Sequence, residues 1–270
     1  MGKVLQLAVL PFSYAHAVLH TYRVVFRDVH AAFRSEDIHS ASHGLGGHVA
    51  SVSTTSACLQ LPDDDAASTL AARSVLVRYV LEEWGAGATL RDAVSQACIP
   101  SDGALARGAS WRVRVQAPGR RTGLVNAHDP SLFRELNPIL DTLPGPVRLK
   151  NAEEDVAVLL RGKTVVVGRV VARGCAADLL SQYRVADRAY RGSTTMDATL
   201  AFVTASFARV RRGDLVLDPF CGAPAESLIL RATVSDAIEQ TSRRWRGGRR
   251  DSSTATPSSR RRVEARRSKR

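Results

Sequence analysis

The chain of 270 residues contains no uninterrupted apolar run of the roughly 18 residues that a membrane-spanning helix needs, so no membrane partner is expected. Its four cysteines, Cys58, Cys98, Cys175 and Cys221, are far apart and form no C-x-x-C pair. That spacing excludes a small disulfide framework and favours a reduced, cytoplasmic or nuclear compartment. No Pro-Pro pair occurs anywhere. Acidic residues are nearly missing from residues 241–270, where twelve Lys and Arg face only Asp251 and Glu264. This stretch therefore holds +10 of the formal +12 charge, and the other 240 residues carry +2. A globally basic chain would read as nucleic-acid binding on charge alone; here the charge describes the tail.

What is present is a chain rich enough in apolar residues, 44%, to fold over most of its length. Val4 to Leu10 is a short apolar run stopped by Pro11, read as a first core strand. Lys3 and Ala15-His16-Ala17 imitate a signal peptide only superficially. From Ala15 to Phe33, Val18, Tyr22, Val25, Val29 and Phe33 recur every three to four residues, which predicts an amphipathic helix. Ser35 to Ser56 is polar and rich in His, Ser and Gly, and reads as a loop or weak strand region. His39 and His43 would share a helix face and could hold a metal, but Ser40, Ser42, Gly44, Gly46 and Gly47 oppose a helix, and no metal site is expected. Cys58 to Leu61 reads as a strand, and Asp63 to Asp65 after Pro62 as the start of a helix reaching Arg73. S-V-L-V-R-Y-V-L follows as a strand. Strand, helix, strand, helix, strand over about 80 residues suits a small ferredoxin-like unit.

Leu90 to Ala97 then predicts a short helix, and W-R-V-R-V-Q (Trp111 to Gln116) alternates as a strand with one buried face. Pro130 to Leu140 predicts a helix capped by Asp129, with Pro138 bending or ending it. Pro146 to Asn151, Asp155 to Leu160 and the run from Lys163 predict three strands. Arg112, Arg114, Arg120, Arg121, Arg148, Lys150, Arg161, Lys163 and Arg169 alternate with apolar positions, which puts cations on a solvent face able to meet phosphates. The same pattern also serves as ordinary protection of strand edges. Ala176 to Tyr183 predicts a helix, and Met196 to Val210 another, with Asp197 in its first turn.

The most specific stretch is G-D-L-V-L-D-P-F-C-G, Gly213 to Gly222: a buried parallel strand ending in a loop, the place where open α/β sheets hold ligands. Asp218, Pro219, Phe220 and Gly222 resemble the first S-adenosylmethionine loop of the amino-methyltransferases that act on nucleic-acid bases. Y-R-G-S-T-T-M-D-A, Tyr190 to Ala198, resembles the G-N-T-S-M-D segment of the tRNA guanine-N2 methyltransferases of guanosine 10. That family carries an RNA-binding THUMP domain, and V-R-L-K-N-x-E-x-x-V-x-V resembles its strand pattern.

The resemblance covers about residues 5–222. It implies an α/β chain: a ferredoxin-like α+β domain at 1–87, a THUMP domain at 88–172, and a linker and the start of a Rossmann-like methyltransferase domain at 173–232; beyond it, composition poor in large apolar residues predicts a disordered basic tail at 233–270. It implies S-adenosylmethionine as cofactor, with Gly192, Thr194, Thr195, Met196 and Asp197 beside it together with the loop residues. It implies tRNA as partner, through Arg112, Arg114, Arg148, Lys150, Lys163 and Arg169, and a small zinc-binding activator subunit as a second. Ser193 and Ala152 depart from the family's Asn and Pro. After Gly222 the family writes a further Gly, where Pro224 here lacks an N–H and cannot take positive φ. No D-P-P-Y type catalytic loop follows, so the expectation is a catalytically inactive, truncated enzyme; the alternative is a noncatalytic tRNA-binding THUMP module.

Overall fold

The structure, a computed structural model, describes residues 19–116, 130–161, 164–184 and 196–210. The first half runs β1 (His20–Phe26), a 3-10 turn at Ala31–Phe33, α1 (Arg34–Ser42), β2 (His48–Val52), β3 (Ser56–Leu61), α2 (Asp64–Arg73) and β4 (Val77–Gly87). These four strands lie in the order β2-β3-β1-β4, and each neighbouring pair is antiparallel. This is the split β-α-β arrangement of a ferredoxin-like unit. The second half adds α3 (Leu90–Ser95), β5 (Trp111–Gln116), α4 (Pro130–Leu140), β6 (Glu154–Arg161) and β7 (Thr164–Arg173), followed by α5 (Ala176–Gln182) and α6 (Ala198–Phe207). β7 pairs with β4, so both halves share one seven-stranded sheet, β2-β3-β1-β4-β7-β6-β5. β5 and β6 pair in parallel.

Local chemistry accounts for the helix starts. The Asp63 carboxylate accepts from the Ala66 N–H at 2.7 Å, and Asp64 and Asp65 complement the dipole of α2. Thr89 and Asp92 form a reciprocal capping box at α3. α2 buries Ala67, Leu70 and Ala71 against Tyr22, Val24 and Leu59 of the sheet. α3 and α4 bury Leu90, Ala93, Leu136 and Ile139 against Trp84, Val115, Val156 and Val158. α5 and α6 join Leu179, Phe202 and Val203 to Val75 and Leu76. Fully burying one such Leu or Phe is worth about 1.5–3 kcal/mol.

Three expectations are corrected. The helix expected at Ala15 to Phe33 is β1 from His20 onward, because β1 is buried on both faces. Val24 and Val25 are each 0% exposed, and a strand buried twice loses its alternation and mimics a helical period. Val4 to Leu10 lies outside the described residues. The loop or weak strand region expected at Ser35 to Ser56 does hold a short strand, β2, but opens with a helix, α1, which buries Ile38 and Ala41 and whose polar residues disguise the period. The strand expected at Pro146 to Asn151 contracts to one parallel bridge, Trp111 with Val147, and Asn151 turns away at φ 54. α4 has the expected bounds, Pro130–Leu140, and Pro138 lies inside it without ending it.

Gly168 marks one close approach between the two halves. A Cβ there would stand 1.9 Å from the Glu82 carbonyl oxygen on β4, so only glycine admits the strand pairing as it is.

Candidate nucleic-acid interface

β5 alternates as its sequence requires. Trp111 and Val115 are buried in the core under α3 and α4, with Val113 packed against it, which turns Arg112 and Arg114 to the opposite face. On β6, Val156 and Val158 join the same core, and Asp155 therefore shares the face of Arg112, its registered partner. Arg112 Nε donates to Asp155 Oδ1. Arg173 Nη2 donates to Oδ2 at 2.7 Å. Arg114 Nε lies 2.9 Å from Oδ2 without hydrogen-bond alignment, a charge contact.

Three guanidiniums thus converge on one carboxylate. Burial pushes the Asp155 pKa up, but the hydrogen bond from Arg112 and the charges of Arg114 and Arg112 outweigh it and hold the carboxyl below its ordinary range. The cluster carries a surplus of two positive charges, and its about fifteen N–H donors face about four acceptor positions on the carboxylate. The Asp155 side chain is 10% exposed and that of Arg173 is 52% exposed, so Arg173 reaches solvent while the anion stays inside.

The chain before β6 is fastened to this cluster. Trp111 Nε1 donates to the Gly145 carbonyl at 2.9 Å, Trp111 N to the Pro146 carbonyl at 3.1 Å, and Arg148 N to the Trp111 carbonyl at 2.9 Å. Arg112 Nη1 donates to the Leu149 carbonyl at 3.3 Å. Behind the loop, Ser110 N and Oγ both donate to Glu153 Oε2 at 2.8 Å. These two hydrogen bonds, helped by the charge of Arg148, hold the Glu153 carboxyl below its ordinary range. The loop displays Arg148 and Lys150 in solvent together with Val147 and Leu149.

Arg169 departs from the solvent face expected for it. It is 6% exposed on the helix-covered face, and its Nη2 donates to Asp64 Oδ2 at 2.6 Å and its Nε to Glu82 Oε2 at 3.0 Å. Nη1 lies 3.7 Å from Glu154 Oε2. The nearby carboxylates outweigh the desolvation of burial and raise its pKa, so it stays charged and spent on internal partners. Among the basic residues expected to meet phosphate, Arg112, Arg114, Arg148 and Lys150 come together; Arg120, Arg121 and Lys163 lie outside the described residues.

Arg173 and Asp155 are the members that sequence reasoning misses. Arg169 and Arg173 are four apart and would share one face of a regular strand. The pairing of β4 with β7 shifts register between Val80 and Leu81, and Val171 and Ala172 both enter the core of the first half. This bulge reverses the parity and carries Arg173 to the other face. No residue type in the sequence announces it.

Of the residues expected beside a cofactor, Gly192, Thr194, Thr195, Asp218, Pro219, Phe220 and Gly222 lie outside the described residues, as does the basic tail. Met196 is exposed. Asp197 stands one place earlier than expected, as the N-cap of α6, where Oδ1 accepts from Thr199 N at 2.9 Å and Leu200 N at 3.4 Å. Among the described residues no group of three His, Cys, Asp or Glu is arranged to hold a metal ion. No described helix is long and apolar enough to cross a membrane.

Comparison with known proteins gives the geometry its context. The family model of the Tmrp11 THUMP N-terminal domain matches residues 20–166. The chain is 25% identical over 230 residues to the cattle tRNA (guanine(10)-N(2))-methyltransferase TRMT11, covering 76% of this chain and 48% of that protein. The human protein of the same name is 25% identical over 229 residues, 76% of this chain and 47% of that one. A Dictyostelium discoideum relative of that name is 37% identical over 67 residues, 25% of this chain and 13% of that one. The chain spans about half the length of the mammalian relatives. Among solved structures, TrmN from Thermus thermophilus superposes with a TM-score of 0.44 at 20% identity, covering 84% of this chain and 69% of that one.

Proposed function

Since the chain belongs to the family of the Tmrp11 THUMP N-terminal domain, we propose that it serves N2-methylation of guanosine 10 in tRNA and that its described residues hold the RNA. The observation that carries this reading is the convergence of Arg112, Arg114 and Arg173 on Asp155 beside the exposed Arg148 and Lys150. A carboxylate with three cations fixes their positions without neutralising them. Guanidinium groups so held present paired N–H donors at the spacing of phosphate oxygens and lose little side-chain freedom when a phosphate arrives. Contact with each phosphate releases counterions, so affinity falls with salt. The names of the relatives, tRNA guanine-N2 methyltransferases, support tRNA as the RNA and methyl transfer as the reaction.

S-adenosylmethionine is the methyl donor in this reading and supplies an electrophilic sulfonium methyl. The described chain's own task is positioning: bringing one guanine to a fixed place is worth more to such a transfer than any acid or base step. A small zinc-binding activator subunit and a cytoplasmic location belong to the same proposal. They have the family resemblance as their support.

The test is fluorescence-anisotropy titration of the purified chain with an unmodified tRNA transcript at several salt concentrations, beside transfer of labelled methyl from S-adenosylmethionine. Salt-dependent binding that Arg112→Glu with Arg114→Glu abolishes is the expected result. Binding indifferent to salt or to that double variant overturns the assignment of the interface.

A further inference from the structure

α6 meets the first half of the fold in two places. Along its middle, Phe202 and Val203 are buried with Cys175, Leu179, Val75 and Leu76. At its last turn, Phe207 stands edge-on to Phe33 with ring centroids 6.0 Å apart, and the Ser206 hydroxyl donates to the carboxyl of Asp37 on α1. The aromatic contact is thin, since Phe33 and Phe207 are 38% and 36% exposed. Asp37 is fully buried, and Ser74 Oγ donates to its Oδ2. Ser74 Oγ itself accepts from Leu76 N and Val77 N, both at 3.2 Å, and the Ser74 carbonyl accepts from Cys175 Sγ. One buried carboxyl thus joins α1, the turn before β4 and the last turn of α6.

We infer that α6 docks on the first half as a unit and that Asp37 is its latch, a positioning residue that fixes the direction in which the chain leaves α6 toward Gly213–Gly222. Burying a carboxyl costs free energy that an apolar residue of similar size would not cost, and Asp37 Oδ1 has no hydrogen-bond partner. What the carboxyl adds is direction. Apolar contact is non-directional, so the packing of Phe202 and Val203 sets how deeply α6 sits and leaves it free to turn or slide. A hydroxyl–carboxyl hydrogen bond is met at one distance and one angle. It acts at the end of α6 from which the chain continues, where the aromatic contact is weakest. A helix with so few attachments opens at a lower free energy than the sheet does. The inference goes beyond the RNA-binding reading and stands whatever the first half binds.

Native-state hydrogen exchange of the whole chain, read by peptide mass spectrometry, tests it with Ser206→Ala, Asp37→Ala and Asp37→Asn beside the original. Ser206→Ala removes one hydroxyl, and alanine is the better helix former, so faster exchange of α6 would come from its docking and not from a weaker helix. The expected result is exchange of the α6 amides about threefold to tenfold faster in Ser206→Ala, as for the loss of one hydrogen bond. Asp37→Ala should accelerate them further, with β1 and β4 lagging behind α6 in both variants. Asp37→Asn keeps an oxygen that accepts from the hydroxyls and should exchange no faster than the original. Cys175 shares the cluster of Phe202 and Val203, so a short pulse of iodoacetamide in native buffer should mark it in Asp37→Ala and leave it unmarked in the original. Unchanged α6 exchange in Ser206→Ala overturns the inference. Equal acceleration of α6, β1 and β4 does the same, because Asp37 would then support the core as a whole. An Asp37→Asn chain that exchanges as fast as Asp37→Ala overturns it as well.

Discussion

Arg169 of β7 and Glu82 of β4 stand opposite each other in register, and Arg169 Nε donates to Glu82 Oε2 at 3.0 Å across the seam where the two halves of the sheet join. Both side chains are buried, at 7% and 8% exposure. Trp84 Nε1 also donates to Glu82 Oε2, and Tyr22 Oη to Asp64 Oδ1, so the pair sits inside a network that both halves supply. Replacing Arg169 by Met leaves the Glu82 and Glu154 carboxylates buried beside a group that no longer compensates them. The expected loss is about 3–5 kcal/mol in urea unfolding. An Arg169→Met chain as stable as the original would show that the network is dispensable.

A second prediction concerns pH. Asp37 of α1 is 0% exposed. Ser74 Oγ donates to its Oδ2, and its Oδ1 has no hydrogen-bond partner. Burial pushes its carboxyl pKa up, more than the hydroxyls of Ser74 and Ser206 pull it down. The folded state therefore favours the protonated acid. This contribution is complete below the unfolded value of 3.8 and is lost as pH rises through the folded one. Asp155 has the opposite sign, and its contribution disappears on acidification below the ordinary carboxylate range. In unfolding measurements from acid to neutral pH, the difference between the original chain and Asp37→Asn isolates the first effect. Asn should gain on Asp as the pH rises; a constant difference would refute the titration.

The thiols give a third. Cys175 is buried, donates to the Ser74 carbonyl at 3.6 Å, and has its pKa pushed up to about 12, chiefly by burial. Cys58 is half-buried, and burial raises its thiol as well. Cys98 is exposed. Nucleophilic attack requires the thiolate and access, so of the three described thiols alkylation of the native protein should mark Cys98 first and Cys175 only on unfolding. Peptide mass spectrometry after a short pulse of iodoacetamide reads the order, and early labelling of Cys175 would contradict its burial.

The parts legible in the sequence are those whose cause is local. Asp63 to Asp65 mark the start of α2, and W-R-V-R-V-Q shows its buried face by alternation. β1 fails because Val24 and Val25 are both buried, an outcome of what packs on each side and not of the chain itself. α1 fails because its buried set includes Arg34 and Asp37, polar residues that only their partners make acceptable. The interface divides in the same way. Arg112 and Arg114 announce their face, while Arg169 looks identical in pattern and is claimed by acids from α2, β4 and β6, 105, 87 and 15 residues away in sequence. One bulge decides the position of Arg173.

The last prediction separates those two groups of arginines. If RNA meets the face around Asp155, each of Arg112→Ala, Arg114→Ala and Arg173→Ala should reduce the slope of log affinity against log salt by about 0.9 per lost contact to duplex, or about 0.7 to a single strand. An Arg169 variant, measured under conditions where it remains folded, should leave the slope unchanged, because its guanidinium is committed to Asp64 and Glu82. Asp155→Asn works in the opposite direction. It removes the one anion among three cations, so affinity for RNA should rise while stability falls by about 1–2 kcal/mol, a partly exposed cluster being screened by water. Tighter binding joined to lower stability is the signature of a carboxylate that positions cations for an external anion. An Asp155→Asn chain that binds RNA more weakly while remaining folded would mean that the three arginines serve the fold and not the phosphate.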